Sequence, residues 1–350
     1  METIIHRLDV NRINKEVINE ASEILKKGGL VAFPTETVYG LGADALNEKA
    51  SSDIYRAKGR PSDNPLIVHI SNKEQLYKLV KEISHNAELL MDNFWPGPLT
   101  MIFKKSEIVP DGTTGGLDTV AVRMPNHPVA LNLIDSSGIV IAAPSANTSG
   151  RPSPTSSAHV EEDLCGKIDM ILDGGDVGIG IESTIVDMTS DIPVILRPGY
   201  ITKEMLEDVL GNVDIDKAVM NPLSENVRPK APGMKYRHYA PKAELIIFNG
   251  KMDDVIRRIN EETDECISKG KCVGIIASEE TKDKYKAGMV LDIGTRQDED
   301  MIAHNLYGVL REFDAANVDV IYGETFKESG FGQAIMNRLL KAAGYHVEDV

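Results

Sequence analysis

Short apolar runs alternate with amphipathic stretches along most of the 350-residue chain. Residues 15–27 carry apolar side chains at helical spacing, and Gly28 and Gly29 follow, which predicts a helix that ends there. Apolar, β-branched runs bounded by glycine or proline predict strands, with further helices between them. The predicted strands are 30–33, 65–70, 98–105, 119–124, 139–144, 170–174, 183–188 and 194–198, and the further predicted helices are 47–59, 73–93, 127–136 and 203–210.

Residues 212–241 lose this periodicity and are rich in proline, which predicts a linker. We therefore expect a first domain at 1–212, a linker at 213–242 and a small C-terminal domain at 243–350. The expected fold class is α/β, with a large mixed sheet in the first domain and a smaller, Rossmann-like parallel sheet in the second. The second domain alternates predicted strands (244–248, 272–277, 288–292, 318–322) with predicted helices (252–268, 299–315, 331–342).

The composition excludes several classes of protein. Hydrophobic residues make up 42% and charged residues 26%, as in a globular protein, and no apolar run approaches the roughly 20 residues that span a bilayer. Cys165, Cys266 and Cys272 follow no metal-binding spacing and predict free thiols in a reducing cytosol, so we expect a cytoplasmic protein without membrane contact. A net charge of −16 argues against a general nucleic-acid binder.

Basic side chains nevertheless occur at structurally informative positions. Lys58 and Arg60 end a predicted helix, where they could hold phosphate oxygens or simply cap the helix. Arg123 and Arg197 lie within or at the end of apolar strands, where a guanidinium group needs an acid or an anionic ligand. We expect five cations to converge on one polyanionic ligand, namely Lys58, Arg60, Arg123, Arg151 and Arg197.

Two polar loops follow predicted strands. The segment PTETVYGLG (34–42) places Thr35 and Thr37 in a turn, where a ligand site and an ordinary connection are equally supported. The segment IAAPSANTSGRPSPTS (141–156) places Ser145 and Asn147 at the carboxyl end of a strand, where α/β sheets bind ligands, although a plain surface loop is the alternative. His69 lies inside an apolar strand, where a histidine is usually a satisfied core residue.

The usual nucleotide-binding and hydrolase motifs are missing from the sequence. It contains no GxxxxGK[ST] loop, no GxGxxG opening a helix, no GxSxG and no HExxH. A nucleotide would therefore need an unusual binding arrangement, and covalent catalysis is not indicated.

Taken together and in order, these segments resemble the YrdC family of threonylcarbamoyl-AMP synthases. The KxR…SxN signature of the family appears as Lys58-Gly59-Arg60 and Ser145-Ala146-Asn147. The linker sequence APGMKYRHYAPK (231–242) and the domain after it resemble the long, two-domain form. The resemblance implies a YrdC-like first domain with a twisted mixed sheet and a central ligand cavity. Other matching segments are PTETVYGLG, NPLIVHI, WPGPLT, DTVAVRMP, APSAN, ESTIVD and LRPG.

The resemblance implies that L-threonine, bicarbonate or CO2 and ATP react to give L-threonylcarbamoyladenylate and pyrophosphate. The product would pass to a separate complex that forms N6-threonylcarbamoyladenosine in tRNA. Mg²⁺ is expected with ATP, without dedicated protein ligands. The implied catalytic residues are Lys58, Arg60, Ser145 and Asn147. The implied nucleotide contacts are Arg60, Asn64, Thr119, Ser145, Ser153, Arg197 and Tyr236. The implied threonine contacts are Thr35 or Thr37, His69, Arg123, Ala143 and Ser183.

Other interpretations remain beside this one. The basic, aromatic stretch 235–239 is expected to close over the site as a lid, with an interdomain tether as the alternative. A factor that binds double-stranded RNA or tRNA in a basic cavity is the competing function. A carbamoyltransferase that uses carbamoyl phosphate is disfavoured, because the sequence lacks a zinc-finger cysteine pattern. The segment 331–344 is expected to form a docking helix that exposes Arg338 and Lys341.

Overall fold

The computed structural model describes residues 2–219, 229–234 and 238–350. Contacts divide the chain into two compact units. The first unit is Met1–Ser149 with Ser153–Lys235, and the second is Gly150–Pro152 with Tyr236–Val350. Described residues of the predicted linker are therefore shared between the units, and the predicted boundaries at 212 and 242 stay predictions.

The first unit contains a mixed sheet whose described part has eleven strands, in the order β1-β8-β2-β3-β7-β4-β6-β5-β9-β10-β11. Its strands are β1 (Ile4–Arg7), β2 (Val31–Phe33), β3 (Gly40–Asp44), β4 (Ile67–His69), β5 (Leu99–Lys104), β6 (Thr119–Arg123), β7 (Ile141–Ala142), β8 (Met170–Asp173), β9 (Thr184–Asp187), β10 (Val194–Arg197) and β11 (Asp214–Ile215). Its helices are α1 (Lys15–Lys26), α2 (Glu48–Lys58), α3 (Lys73–Leu79), α4 (His85–Phe94), α5 (Asp111–Thr114), α6 (Pro128–Ser137), α7 (Ser157–Leu164) and α8 (Lys203–Leu210).

Local signals set the ends of these helices. The Asn47 side chain accepts a hydrogen bond from the backbone N–H of Ala50 and so begins α2. Gly59 ends α2 with a φ of 63°, a left-handed conformation that glycine adopts without steric cost. Lys58 is therefore the last helical residue, whereas Arg60 already belongs to the following loop.

The second unit contains a parallel sheet in the order β14-β13-β15-β12-β16, and all four neighbouring pairs are parallel. The predicted α/β class, with a large mixed sheet and a second parallel sheet, is confirmed. The strands are β12 (Glu244–Asn249), β13 (Val273–Ala277), β14 (Met289–Asp292), β15 (Val320–Glu324) and β16 (Val347–Asp349), and the helices are α9 (Met252–Ser268), α10 (Glu299–Ala316) and α11 (Gly332–Ala342).

Two local predictions are wrong. The single helix at 73–93 is two helices, because the backbone is extended at Val80 and Ser84 caps a new helix. The helix within 331–344 does form, but Arg338 and Lys341 are buried instead of exposed. The Arg338 guanidinium lies over the ring of Tyr239, 5.6 Å from its centroid, and donates to Asn337. These two cations therefore offer no docking surface.

Candidate active site

A line of buried polar side chains crosses neighbouring strands on one face of the first sheet. His69 of β4 is in register with Arg123 of β6, which is in register with Thr100 of β5. The Thr100 hydroxyl lies 2.8 Å from the hydroxyl of Ser183, which precedes β9. Residues in register share a face of the sheet, so these side chains form one continuous line.

Arg197 extends this line at the end of β10. Its Nε donates to the backbone oxygen of Ser183 at 3.1 Å, and its Nη2 donates to the Ser183 hydroxyl at 3.2 Å. Four predicted site residues, His69, Arg123, Ser183 and Arg197, are thereby brought together with Thr100. We call these five residues the polar row.

The loop between β2 and β3 supplies further polar groups to the row. Arg123 Nη1 donates to the Thr37 hydroxyl at 2.9 Å. The Thr35 hydroxyl instead forms hydrogen bonds within the loop. It donates to Val38 O at 2.7 Å and accepts from the Thr37 N–H at 3.2 Å. Of the two threonines that the sequence left as alternatives, Thr37 is the one in contact with Arg123.

The same loop places an acid that the sequence interpretation missed. Glu36 Oε2 lies 2.7 Å from Arg123 Nη2, and the side chains are only 14% and 4% exposed. Neither Glu36 oxygen has an aligned hydrogen bond in the described structure, and neither does Arg123 Nη2. The pair is therefore close and buried, but its contact lacks hydrogen-bond alignment, and Glu36 Oε1 has no hydrogen-bond partner among the described residues.

His69 is electrically neutral in this setting. Burial and the neighbouring charge of Arg123 lower the pKa of its imidazole to about 3. Its Nδ1 lies 3.2 Å from Ile67 O, and the edge of its ring meets Phe33, with centroids 6.2 Å apart. The imidazole can donate or accept one hydrogen bond there without adding a positive charge.

The KxR and SxN halves of the signature are joined through Lys58. The buried ammonium group donates to the backbone oxygens of both Ser145 and Asn147. The Ser145 hydroxyl donates in turn to Asn147 Oδ1, and Gly40 pairs with Ser145 as an isolated bridge. The two segments thus form one hydrogen-bonded unit beside β3.

Arg60 and Asn64 lie together in the loop after α2. The buried Arg60 guanidinium donates to Asn64 O at 3.2 Å and to Pro65 O at 3.0 Å. The Asn64 side chain is buried, and neither its Oδ1 nor its Nδ2 has a hydrogen-bond partner among the described residues. Burying an amide without hydrogen-bond partners costs free energy, and a ligand that pairs with the amide would recover that cost.

The remaining predicted residues have different surroundings. The buried Ser153 hydroxyl donates to Glu182 Oε1. Thr119 opens β6 on the same face as Arg123, since the two are four residues apart in one strand. Ala143 donates its backbone N–H to Ile67 O at 2.8 Å. Tyr236 lies outside the described residues.

Arg151, the fifth expected cation, forms an ion pair with an acid of the second unit. Residues 150–152 group with the second unit, where Arg151 Nη2 lies 3.4 Å from Asp314 Oδ2. Arg311 Nη2 also donates to Pro152 O at 2.7 Å. The convergence of the five cations on one ligand stays a prediction.

An apolar cluster continues the face that carries the polar row. Residues two positions from the row along the strands are apolar, and described linker residues pack with them. Arg197 Nη1 also reaches Pro232 O at 3.4 Å. Described residues from both parts of the linker, Ala218 and 231–234, therefore cover part of this face. The cluster consists of Ile67, Ile102, Ala121, Ile185, Leu196, Ala218, Ala231 and Met234.

Three further observations concern the described residues as a set. They contain no group of three or more His, Cys, Asp or Glu side chains placed to hold a metal ion. Their helices include none that is long and apolar enough to cross a bilayer. Cys165, Cys266 and Cys272 are free thiols, as predicted.

Two family models match adjoining parts of the chain. The Sua5/YciO/YrdC model, described as "Telomere recombination", matches residues 23–199. The model described as "Threonylcarbamoyl-AMP synthase, C-terminal domain" matches residues 201–344. Together they account for most of both units.

Known proteins are similar over nearly the whole chain. A threonylcarbamoyl-AMP synthase of Pyrococcus abyssi is 53% identical over 96% of both chains, and one of Bacillus subtilis is 50% identical over 95% of both. The crystal structure of P. abyssi Sua5 complexed with L-threonine superposes with a TM-score of 0.94 at 51% identity, covering 99% of this chain and 100% of that one. This chain therefore belongs to the Sua5/YrdC family of threonylcarbamoyl-AMP synthases, in its long, two-domain form.

Proposed function

We propose that this protein is an L-threonylcarbamoyladenylate synthase. It joins L-threonine, CO2 or bicarbonate and ATP, and it releases pyrophosphate. The observation that carries the proposal is the identity of 50–53% to threonylcarbamoyl-AMP synthases along both units. The polar row and the Lys58-centred loop supply groups suited to an amino acid and to a nucleotide.

His69, Arg123 and Ser183 of the polar row, together with Thr37, form the proposed threonine site. Arg123 binds the threonine carboxylate in this proposal, because its buried guanidinium is the positive charge among these four residues and lies against the Thr37 hydroxyl. Thr37 and Ser183 offer hydroxyl groups, and neutral His69 offers a ring nitrogen without repelling the ammonium group of the substrate. Ala143 contributes backbone groups only. P. abyssi Sua5 has been crystallised with L-threonine, which supports L-threonine as the amino acid bound here.

The segments around Lys58 and Asn64 form the proposed nucleotide site. The unpaired Asn64 amide and the guanidinium groups of Arg60 and Arg197 bind ATP, while Lys58 holds the SxN loop in position. Asn147 helps to fix the phosphate region. The remaining proposed contacts are Thr119, Ser145, Ser153 and Tyr236.

The reaction requires no protein nucleophile. The neutral amine of threonine attacks CO2 to give a carbamate, and a carbamate oxygen then attacks the α-phosphorus of ATP. The new O–P bond replaces the bond to the β-phosphate oxygen, and pyrophosphate leaves. Cations and hydrogen-bond donors fixed around the phosphates stabilise the charge that develops there, so positioning and electrostatics supply the catalysis.

Mg²⁺ accompanies the ATP in this proposal. The described residues offer no carboxylate cluster for the ion, so the phosphates and water hold it. The ion neutralises phosphate charge when it is bound. We further propose that the protein works in the cytoplasm and that its product passes to a complex that modifies tRNA.

The test is release of pyrophosphate by the purified full-length protein. We expect release only when ATP, Mg²⁺, L-threonine and bicarbonate are all present, with threonylcarbamoyl-AMP detected by rapid chromatography. Arg60→Ala should abolish it. If ATP binds but no pyrophosphate forms with any amino acid, the synthase proposal fails, and RNA binding with a steep salt dependence becomes the function to measure.

A further inference from the structure

Glu36 is the acidic partner of the proposed threonine-binding cation. Its Oε2 lies 2.7 Å from Arg123 Nη2, yet neither of its oxygens accepts an aligned hydrogen bond in the described structure. A buried carboxylate normally accepts hydrogen bonds at both oxygens, because burial removes its hydrogen bonds to water and an oxygen without a new partner costs free energy. Oε1, which does not carry the ion pair, can therefore accept from a donor that arrives with a ligand.

The chemistry of the substrate identifies that donor. Free L-threonine at neutral pH carries one carboxylate and one ammonium group, so a complementary site needs one cation and one anion close together. Arg123 and Glu36 form such a pair. Other groups around the row are neutral or engaged: burial holds His69 uncharged, and the Glu182 carboxylate accepts from Ser153.

We propose that Glu36 binds the α-ammonium group of L-threonine and accepts the proton that must leave it. This assignment rests on the proposed threonine site and adds a residue to it. The loop geometry supports it, because Thr35 ties down the turn that carries both Glu36 and Thr37. Arg123, fixed by Gly97 O at 3.3 Å and by Thr37, then orients the carboxylate of the same substrate.

The proton balance of carbamate formation defines the step. The ammonium group has three N–H bonds and the carbamate nitrogen has one, so two protons leave. The first passes to the Glu36 carboxylate, which becomes a carboxylic acid and leaves a neutral amine. The amine lone pair then forms the N–C bond to CO2, one C–O π bond becomes a lone pair on oxygen, and the second proton passes to water.

Titration calorimetry with two ligands tests the proposal. L-Threonine carries the ammonium group, and 3-hydroxybutanoate is the same molecule without it. We expect Glu36→Gln to weaken L-threonine binding at least about tenfold, because a charge-assisted hydrogen bond in a buried site is lost. Binding of 3-hydroxybutanoate should be unchanged or tighter, since the unmatched buried carboxylate is gone. Glu36→Asp should recover part of the L-threonine affinity.

Control measurements separate the possible failures. Glu88→Gln alters an exposed acid of α4 and should bind both ligands like the wild type. The ATP affinity of Glu36→Gln is measured as well. A value equal to that of the wild type shows that the first unit of the variant is folded. Equal weakening of both ligands would overturn the proposal in favour of a role in orienting Arg123, and unchanged L-threonine affinity would overturn it outright. A wild-type protein that binds no L-threonine would instead refute the proposed function.

Discussion

Lys58 and Asn147 are joined although 89 positions separate them, because the Lys58 ammonium donates to the backbone oxygen of Asn147 and, at 3.4 Å, to its Oδ1. The same ammonium group donates to Ser145 O. The KxR lysine therefore organises the SxN loop directly. Its charge is buried where three oxygens of that loop meet it.

Replacing Lys58 by methionine should uncouple the two segments. Buried carbonyl oxygens would lose their donor, so we expect a loss of about 1–3 kcal/mol in the free energy of unfolding and loss of pyrophosphate release. Chemical denaturation and the pyrophosphate assay measure the two effects. Lys49→Met changes an exposed lysine of the same helix and should stay within about 0.5 kcal/mol of the wild type. If Lys58→Met were as stable as the wild type, Lys58 would not be what holds the SxN loop in place.

Replacing Asn64 should weaken ATP binding without lowering the stability of the protein. Its amide has no hydrogen-bond partner among the described residues, so Asn64→Ala should leave the free energy of unfolding unchanged or raise it. ATP affinity should fall about tenfold, which calorimetry can measure. Asn93→Ala, at an exposed position of α4, is the matched control. If Asn64→Ala bound ATP as tightly as the wild type, Asn64 would not be a nucleotide contact.

Ser183 connects the two halves of the polar row. Its hydroxyl lies 2.8 Å from that of Thr100 and accepts from Arg197. We expect Ser183→Ala to raise the KM for L-threonine about tenfold, with a smaller effect on the KM for ATP. Ser190→Ala, at an exposed position, should leave both constants unchanged. A larger effect on ATP than on threonine would reassign this hydroxyl to the nucleotide.

His69 makes the stability of the protein depend on pH. The unfolded chain takes up a proton near pH 6.5, whereas the folded imidazole has a pKa of about 3. Protonation therefore favours unfolding, and stability falls by up to about 1.4 kcal/mol per pH unit from pH 6.5 downward. His69→Gln should flatten this slope between pH 6 and 5 in denaturant titrations. His85→Gln, at an exposed position, should keep it, and a wild-type slope in His69→Gln would contradict the buried neutral state.

Met234 directly precedes the expected lid, 235–239, of which residues 235–237 lie outside the described part of the chain. It is buried against the apolar cluster beside the polar row, in the part of the linker that the structure describes. Met234→Ser should loosen this cover, so ATP consumption should exceed the amount of threonylcarbamoyl-AMP recovered, because the labile product meets water. Met301→Ser, at an exposed site in the second unit, is the control. An unchanged ratio of product to pyrophosphate would argue for a plain tether.

Much of the fold follows from periodicity, and the exceptions have physical causes. The helix over 252–268 has the predicted bounds. Strand β3 was not predicted, because Gly40 and Gly42 lower the apolar signal, although a Cβ at Gly42 would meet Phe33 and Ile141. The break between α3 and α4 depends on the backbone at Val80, which pairs with Lys105.

The site shows a similar division. Four predicted residues, His69, Arg123, Ser183 and Arg197, meet in the polar row because strand register puts them on one face. Glu36 was missed, since an acid in a turn usually faces solvent, and only the tertiary structure buries its oxygens. Arg151 was assigned by charge alone, whereas its position beside Asp314 depends on contacts distant in sequence.

The alternation of faces along β4 and β6 limits how this site can evolve. Val68 and Val122 point into the core on the side opposite to His69 and Arg123. Inserting or deleting one residue inside either strand would exchange these faces and turn the binding groups inward. A change in the length of either strand would therefore remove the polar row from this face in one step, whereas a longer loop or an exchanged side chain would leave the alternation of faces intact.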